Sequence, residues 1–166
     1  MTMLQDPEME DVVIEFCDES DQLCQELEQI LDDYEEDLTQ TALLENFGQI
    51  IDRIMGAAKS LDAELVGRYC ELGKIVSYKA SQTTDVQLLE IVSATLFDTI
   101  DILNSIFKNI RTNKEEKVDG IGLNAFASRL KWLSEKFNNI QRSSVAVEEQ
   151  TQGQESIDNL LNELGL

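Results

Sequence analysis

The sequence predicts an all-α protein, folded as an antiparallel bundle of four or five helices. Apolar side chains make up 42% of the 166 residues and recur every three or four positions in five long stretches. Pro7 is the only proline and glycines number eight, so few residues interrupt a helix. No stretch of useful length shows the apolar–polar alternation of a half-buried strand. The chain is also long enough to bury a substantial core.

Five amphipathic stretches follow one another, separated by short polar segments. We predict helices at about residues 8–36, 42–61, 62–79, 86–111 and 123–140. Thr39 or Thr41 can cap the second helix, and Thr84 or Asp85 the fourth. The fourth helix is the most apolar of the five, so we expect it to be the most buried.

Each predicted helix is defined by large apolar side chains that share one face, while polar and mostly acidic residues fill the other. Helix by helix, the defining side chains are Phe16, Leu23, Leu27 and Tyr34; Leu44, Phe47, Ile51, Ile54 and Ala58; Leu65, Tyr69, Leu72 and Val76; Leu89, Val92, Leu96, Ile100, Leu103 and Phe107; and Leu123, Phe126, Leu130, Leu133, Phe137 and Ile140. Short connections between such helices favour an antiparallel arrangement.

The last part of the chain has a different pattern. Residues 143–155 are rich in Ser, Gln, Glu and Thr and predict a flexible linker. Beyond it, Ile157, Leu160, Leu161 and Leu164 form a compact apolar face on a helix too short to be stable alone in water. Such a helix on a tether is typical of a segment that docks into a groove.

The predicted organisation has four parts. They are, in order, a helical bundle at 1–111, an additional helix that packs on it at 112–142, the linker at 143–155, and a segment that we call the C-terminal peptide, residues 156–166.

The charge of the chain is strongly negative and uneven. Acidic residues outnumber basic ones 33 to 13, and no Lys or Arg precedes Arg53 or follows Arg142. Nucleic-acid and anionic-membrane partners are disfavoured, because both require clustered basic residues. No signal peptide or run of apolar residues long enough to span a membrane is present, so we expect a cytoplasmic protein. The acidic surface either keeps the protein soluble or steers it toward a basic partner.

The three cysteines are Cys17, Cys24 and Cys70. An odd number without any nearby histidine predicts neither a closed disulfide framework nor a zinc site. We expect buried free thiols in a reducing compartment.

A segment of the second helix, residues 51–60, resembles the phosphorylation segment of histidine-phosphotransfer (HPt) domains of CheA-type chemotaxis kinases. The family pattern is roughly Phe-Arg-x-x-His-x-x-Lys-Gly. Arg53 and Lys59 stand in register with it, Gly56 takes the place of the phosphorylated histidine, and Ser60 replaces the final glycine. The segment from Glu15 to Leu23 also looks like the opening helix of that family, so the resemblance spans about residues 8–111.

The resemblance implies a bundle that docks the receiver domain of a response regulator on its second helix. Asp52, Arg53, Gly56 and Lys59 would then contact the receiver. Because the chain contains no histidine, phosphoryl relay is excluded. Gly56 would leave room for a water molecule or a phosphoryl group, or alternatively would allow close helix packing.

The C-terminal peptide is similar to the terminal peptide of the chemotaxis phosphatase CheZ, which has the form acid/Gln-x-hydrophobic-Asp-x-Leu-Leu-x-x-Leu-Gly-hydrophobic. In that family the tethered peptide grips the response regulator CheY while the helical bundle acts on its phosphoaspartate. The resemblance therefore implies a set of receiver-binding residues, namely Ile157, Asp158, Leu160, Leu161, Leu164 and Leu166. The alternative is an apolar chain end that packs on its own bundle.

CheZ-like and CheC/CheX-like phosphatases orient water with an amide beside an acid, on one helix face, and the receiver supplies the metal. Pairs with such spacing are Glu45–Gln49, Glu135–Asn138 and Asp101–Asn104. We take the first two pairs as candidate catalytic residues, although any acidic helix face carries such pairs.

These patterns suggest two functions. The first is a chemotaxis or two-component regulator that binds a phosphorylated CheY-like receiver and promotes its dephosphorylation. The alternative is a non-catalytic pseudo-HPt adaptor that sequesters or targets the receiver. Neither requires a cofactor of the chain's own, and Mg²⁺ is expected on the partner. Whether the chain forms a homodimer is left open.

Overall fold

The structure, a computed structural model, describes residues 2–120, 122–142 and 157–166, and within these ranges it contains helices and no strand. The five long helices are α1 (Glu10–Glu36), α2 (Thr41–Ser60), α3 (Glu64–Ala80), α4 (Val86–Asn113) and α5 (Leu123–Arg142). Two short 3-10 turns, Met3–Gln5 and Pro7–Met9, precede α1. Residues 157–163 form a further helix, α6. The predicted all-α bundle is confirmed; the predicted linker lies outside the described residues.

Helices α2 and α3 form an antiparallel hairpin with a very close approach. A Cβ atom added to Gly73 of α3 would lie 2.7 Å from Cδ1 of Ile51 on α2, so this position accepts only glycine without rearrangement. One residue further along, Lys74 Nζ forms an ion pair with Asp52 Oδ1 at 2.8 Å. These cross-helix contacts fix the register of the hairpin.

Helix α4 closes the four-helix bundle by packing antiparallel to α1. The ring centroids of Phe16 and Phe107 lie 5.7 Å apart, edge to face. At the same end, Arg111 forms ion pairs with Asp18 and Asp21 at 2.7 and 2.6 Å. A cation from α4 therefore neutralises part of the acidic surface of α1, a helix without basic residues.

The core is built from the apolar faces that the sequence predicts. All the predicted face residues of α2 are buried, and α4 has buried residues along its whole length, as expected for the most apolar helix. The predicted cap of α4 is confirmed at Asp85, whose Oδ1 accepts a hydrogen bond from the Leu88 N–H at 3.2 Å. The predicted threonine cap of α2 is wrong: Gln40 occupies the N-cap position and makes no side-chain cap bond.

Helix α5 packs against α4 and over one side of α3. Arg129 pairs with Asp98 of α4, and the rings of Phe126 and Tyr69 are 6.2 Å apart. Farther along, Lys79 Nζ lies 5.8 Å from the centroid of the Phe137 ring. Helix α5 therefore runs parallel to α3 and antiparallel to α4, and it is an additional helix on the bundle.

The connection between α4 and α5 is anchored at the start of α3. The N-cap residue of α3, Ala63, provides no side-chain cap. Instead, Glu116 from the connection accepts a hydrogen bond from the Val66 N–H at 3.0 Å. Asn109 of α4 also donates to the carbonyl oxygen of Lys117 at 2.7 Å. These bonds hold the polar segment between α4 and α5 against the bundle.

The three cysteines are thiols in the protein interior, and the lengths of the helices bear on whether one could cross a membrane. Cys17, Cys24 and Cys70 are free and buried, as predicted. Burial raises the pKa of Cys24 to about 12, so its thiol is protonated and unreactive at neutral pH. Among the described residues, no helix combines the length and apolarity needed to cross a bilayer.

Candidate functional site

The outer face of α2 carries most of the residues singled out in the sequence. Glu45, Gln49, Arg53, Gly56 and Lys59 are all exposed and recur at intervals of three or four positions. This spacing places them along one side of the helix, a surface that we call the α2 stripe. Gln49 and Gly56 are separated along the helix axis by about 10 Å.

Gly56 is in an open position on this stripe. A Cβ atom added there would meet nothing within 4 Å in the part of the chain that the structure describes. Close helix packing therefore does not explain this glycine. Glycine inside a helix costs about 1 kcal/mol relative to alanine. Ser60 Oγ donates a hydrogen bond to the Gly56 carbonyl oxygen at 3.2 Å.

The charged neighbours of Gly56 differ in whether they form an ion pair within the described residues. Arg53 and Lys59 are exposed and form no ion pair with any described residue. Asp52, which the HPt resemblance places among the contact residues, is instead paired with Lys74 of α3. The stripe thus presents two cations on a chain of net charge −20.

The apolar face of the C-terminal peptide is buried on the chain's own bundle. Ile157, Leu160 and Leu161 are 0, 5 and 3% exposed, and they belong to the hydrophobic core of the described residues. Leu164 and Leu166 are half-buried and pack against the same core. Of the two alternatives that the sequence left open, packing on the own bundle is what the structure contains.

Two polar contacts place α6 in the groove between α3 and α5. Ser134 Oγ of α5 donates to Asp158 Oδ1 at 3.0 Å, and Arg68 Nε of α3 lies 3.4 Å from Glu163 Oε2. Since Ser134 lies past the middle of α5 and Arg68 near the start of α3, α6 runs antiparallel to both helices.

The end of α6 is fixed by a glycine cap. Gly165 has φ of 72°, a left-handed conformation that glycine adopts without strain. The Leu166 N–H donates to the carbonyl oxygen of Leu161 at 2.8 Å, and the Gly165 N–H to that of Asn162 at 3.1 Å. This pair of bonds is a Schellman motif, which turns the chain so that Leu166 packs back on the core.

The docked α6 is held mainly by its apolar face. Ile157, Leu160 and Leu161 are withdrawn from water, and burial of apolar side chains favours the docked form. The ion pair of Arg68 adds little, because both partners are partly exposed and Arg68 also lies 3.8 Å from Glu64. The apolar face therefore contributes more to docking than the ion pair does.

One residue of the α2 stripe, Lys59, and one residue of the C-terminal peptide, Glu163, line the same surface depression of about 330 Å³. Its other lining residues include Met55 of α2 and Gly67 and Arg68 of α3. Residues near 56 and near 163 are far apart in the sequence, yet the fold brings them to the same end of the bundle.

The remaining acid–amide pair lies elsewhere. Glu135 is exposed and Asn138 half-buried on α5. Helix α5 packs mainly against α4, whereas the stripe lies on α2. Within the described residues, no side-chain hydrogen bond or ion pair is formed by Glu45, Gln49, Glu135 or Asn138. The pairs therefore do not form one common site.

Three residues of this region were missed in the sequence, namely Arg68, Glu116 and Ser134. Each acts through a partner on another element, so no local spacing marks it. Burial is the largest influence on Glu116 and raises the pKa of its carboxyl group, although the backbone N–H groups of Val66 and Leu65 oppose this effect.

Comparison with protein-family models, with curated proteins and with solved structures finds no match to this chain. The resemblances to HPt domains and to the CheZ peptide therefore rest on the quoted residues alone.

Proposed function

We propose that this chain binds the receiver domain of a CheY-like response regulator and controls its availability, as a pseudo-HPt adaptor without a phosphoacceptor. One observation carries the proposal: the α2 stripe and the C-terminal peptide, each linked to receiver binding by an independent resemblance, adjoin the same depression through Lys59 and Glu163. A receiver bound to the stripe would therefore lie beside the peptide once α6 is released. Arg53 and Lys59 are exposed on the α2 stripe and suit a phosphorylated or acidic surface.

The binding experiment uses the full chain and receiver domains from the same organism, treated with a small-molecule phosphodonor. Arg53→Glu combined with Lys59→Glu is expected to weaken receiver binding at least tenfold, because two favourable charges become repulsive. The matched control is Lys108→Glu, which changes an exposed lysine on α4 away from the stripe. Equal loss of affinity in the control, or no loss in the stripe variant, would contradict the proposed surface.

A second candidate function is dephosphorylation of the bound receiver. It is favoured by Glu45 and Gln49, which are exposed one helical turn apart on the same stripe as Gly56. An amide there could orient water toward a phosphoaspartate, while the receiver's own Mg²⁺ stabilises the transferring group. Glu135 and Asn138 lie on α5 and do not share this advantage.

Loss of the phosphoryl group from the receiver separates the two functions. If the chain is a phosphatase, Gln49→Ala slows dephosphorylation at least tenfold while receiver binding is retained, and Asn138→Ala, the matched amide control, leaves the rate unchanged. If the chain is an adaptor, the receiver loses phosphate at its intrinsic rate with every variant.

A further inference from the structure

We propose that the groove between α3 and α5 competes with the receiver for the C-terminal peptide, so that the docked α6 is the closed form of the binding site. The proposal rests on the proposed function and adds its regulation. The face assigned to the receiver comprises Ile157, Leu160 and Leu161, and these side chains are the ones buried on the bundle.

A short helix presents its apolar face to one surface at a time. Ile157 is fully buried, so a receiver cannot contact it while α6 is docked, and Asp158 is already bonded to Ser134. Receiver binding through the peptide therefore requires release of α6. The apparent affinity is therefore proportional to the fraction of molecules in which α6 is released.

The residues that hold α6 are outside the peptide. Arg68 and Ser134 belong to the bundle, so either can be changed while the receiver-binding residues stay intact. Arg68 is partly exposed and retains Glu64 as an ion-pair partner when Glu163 leaves. In Arg68→Glu the new carboxylate also lies one turn from Glu64, so circular dichroism checks that the bundle remains folded.

The test measures two quantities on the full chain, namely amide hydrogen exchange of residues 157–166 without receiver and affinity for the phosphorylated receiver. Arg68→Glu, which repels Glu163, is expected to speed this exchange about three- to tenfold and to tighten receiver binding by a similar factor. Arg68→Glu combined with Glu163→Arg restores the pair and should restore both values. Lys108→Glu should change neither.

A second variant tests the release of α6 without relying on the surface ion pair of Arg68. Ser134→Asp places a carboxylate against that of Asp158 and should release α6 in the same way, with circular dichroism reporting whether the bundle remains folded. Unchanged exchange in both variants would overturn the inference, as would faster exchange without tighter receiver binding.

A synthetic peptide of residues 156–166 distinguishes failure of this inference from failure of the proposed function. If the free peptide binds the receiver but release of α6 does not tighten binding, competition is refuted and the proposed function stands. If neither the free peptide nor any variant of the full chain binds a receiver, the proposed function fails and the competition fails with it.

Discussion

Glycines at two positions of the α2–α3 hairpin have opposite structural roles. Gly56 is exposed and has open space around the position of a Cβ atom, whereas a Cβ atom at Gly73 would lie 2.7 Å from Ile51. The sequence alone does not separate them, because both stand inside amphipathic helices. Their environments differ only through tertiary packing, which is set by the partner helix.

Substitution of Gly56 by alanine should therefore stabilise the fold. We expect Gly56→Ala to raise the free energy of unfolding by about 1 kcal/mol, because alanine loses less backbone entropy in a helix. The matched variant Gly73→Ala should lower it by about 1–3 kcal/mol, since Ile51 must move. Urea denaturation measures both. Destabilisation by Gly56→Ala would mean that this position is not open as described.

At the scale of elements, helix positions were predictable because they depend on local spacing. The apolar faces of α2 and α4 and the cap at Asp85 are encoded by residues a few positions apart. The position of α6 was not predictable, since an apolar face on residues 157–164 does not identify the surface that covers it. The same holds for the start of α3, which is capped from the α4–α5 connection by Glu116.

The cap at Glu116 predicts a pH dependence. Burial raises the folded-state pKa of this carboxyl group above its ordinary value of 4.5. A raised pKa means that the folded state binds the proton more tightly, so the contribution of Glu116 to stability is fully present below the unfolded-state pKa and is lost as pH rises through the folded-state pKa. The stability of the native chain should therefore rise relative to Glu116→Gln as pH falls from 7 to about 4.

Two substitutions separate the hydrogen bond from the charge. Glu116→Gln keeps an acceptor for the Val66 N–H and removes the charge, whereas Glu116→Ala removes both. We expect Glu116→Ala to be less stable than Glu116→Gln by about 1 kcal/mol at every pH, as for loss of a helix cap. Urea denaturation across the pH series tests both statements. Equal stability of the two variants would show that the bond contributes nothing.

At the scale of the whole molecule, the charge distribution sets how the bundle is held together. The chain has a net charge of −20, and α1 contains no basic residue. The bundle offsets this with cations from other elements: Arg111 of α4 reaches Asp18 and Asp21, and Lys114 lies 3.5 Å from Glu10. The net charge could be predicted from the sequence. The pairing of Arg111 and Lys114 with particular acids could not, because it depends on the antiparallel packing of α1 and α4.

Removal of Arg111 should therefore destabilise the protein in a salt-dependent manner. The hydrogen bonds that Arg111 donates to Asp18 and Asp21 raise the pKa of its guanidinium group, which stays charged at all usual pH values. We expect Arg111→Ala to lower the free energy of unfolding by about 1–2 kcal/mol at low salt, because two neighbouring carboxylates lose their shared cation. At 1 M salt the screening length is about 3 Å, and most of the loss should disappear.

Lys108 provides the matched control, because it is exposed on the same helix and forms no ion pair with a described residue. Lys108→Ala should change the free energy of unfolding by less than about 0.5 kcal/mol. Thermal and urea denaturation of both variants at low and high salt measure the difference. A loss in Arg111→Ala that does not change with salt would mean that packing of the aliphatic part of Arg111, and not its charge, stabilises the pair of helices.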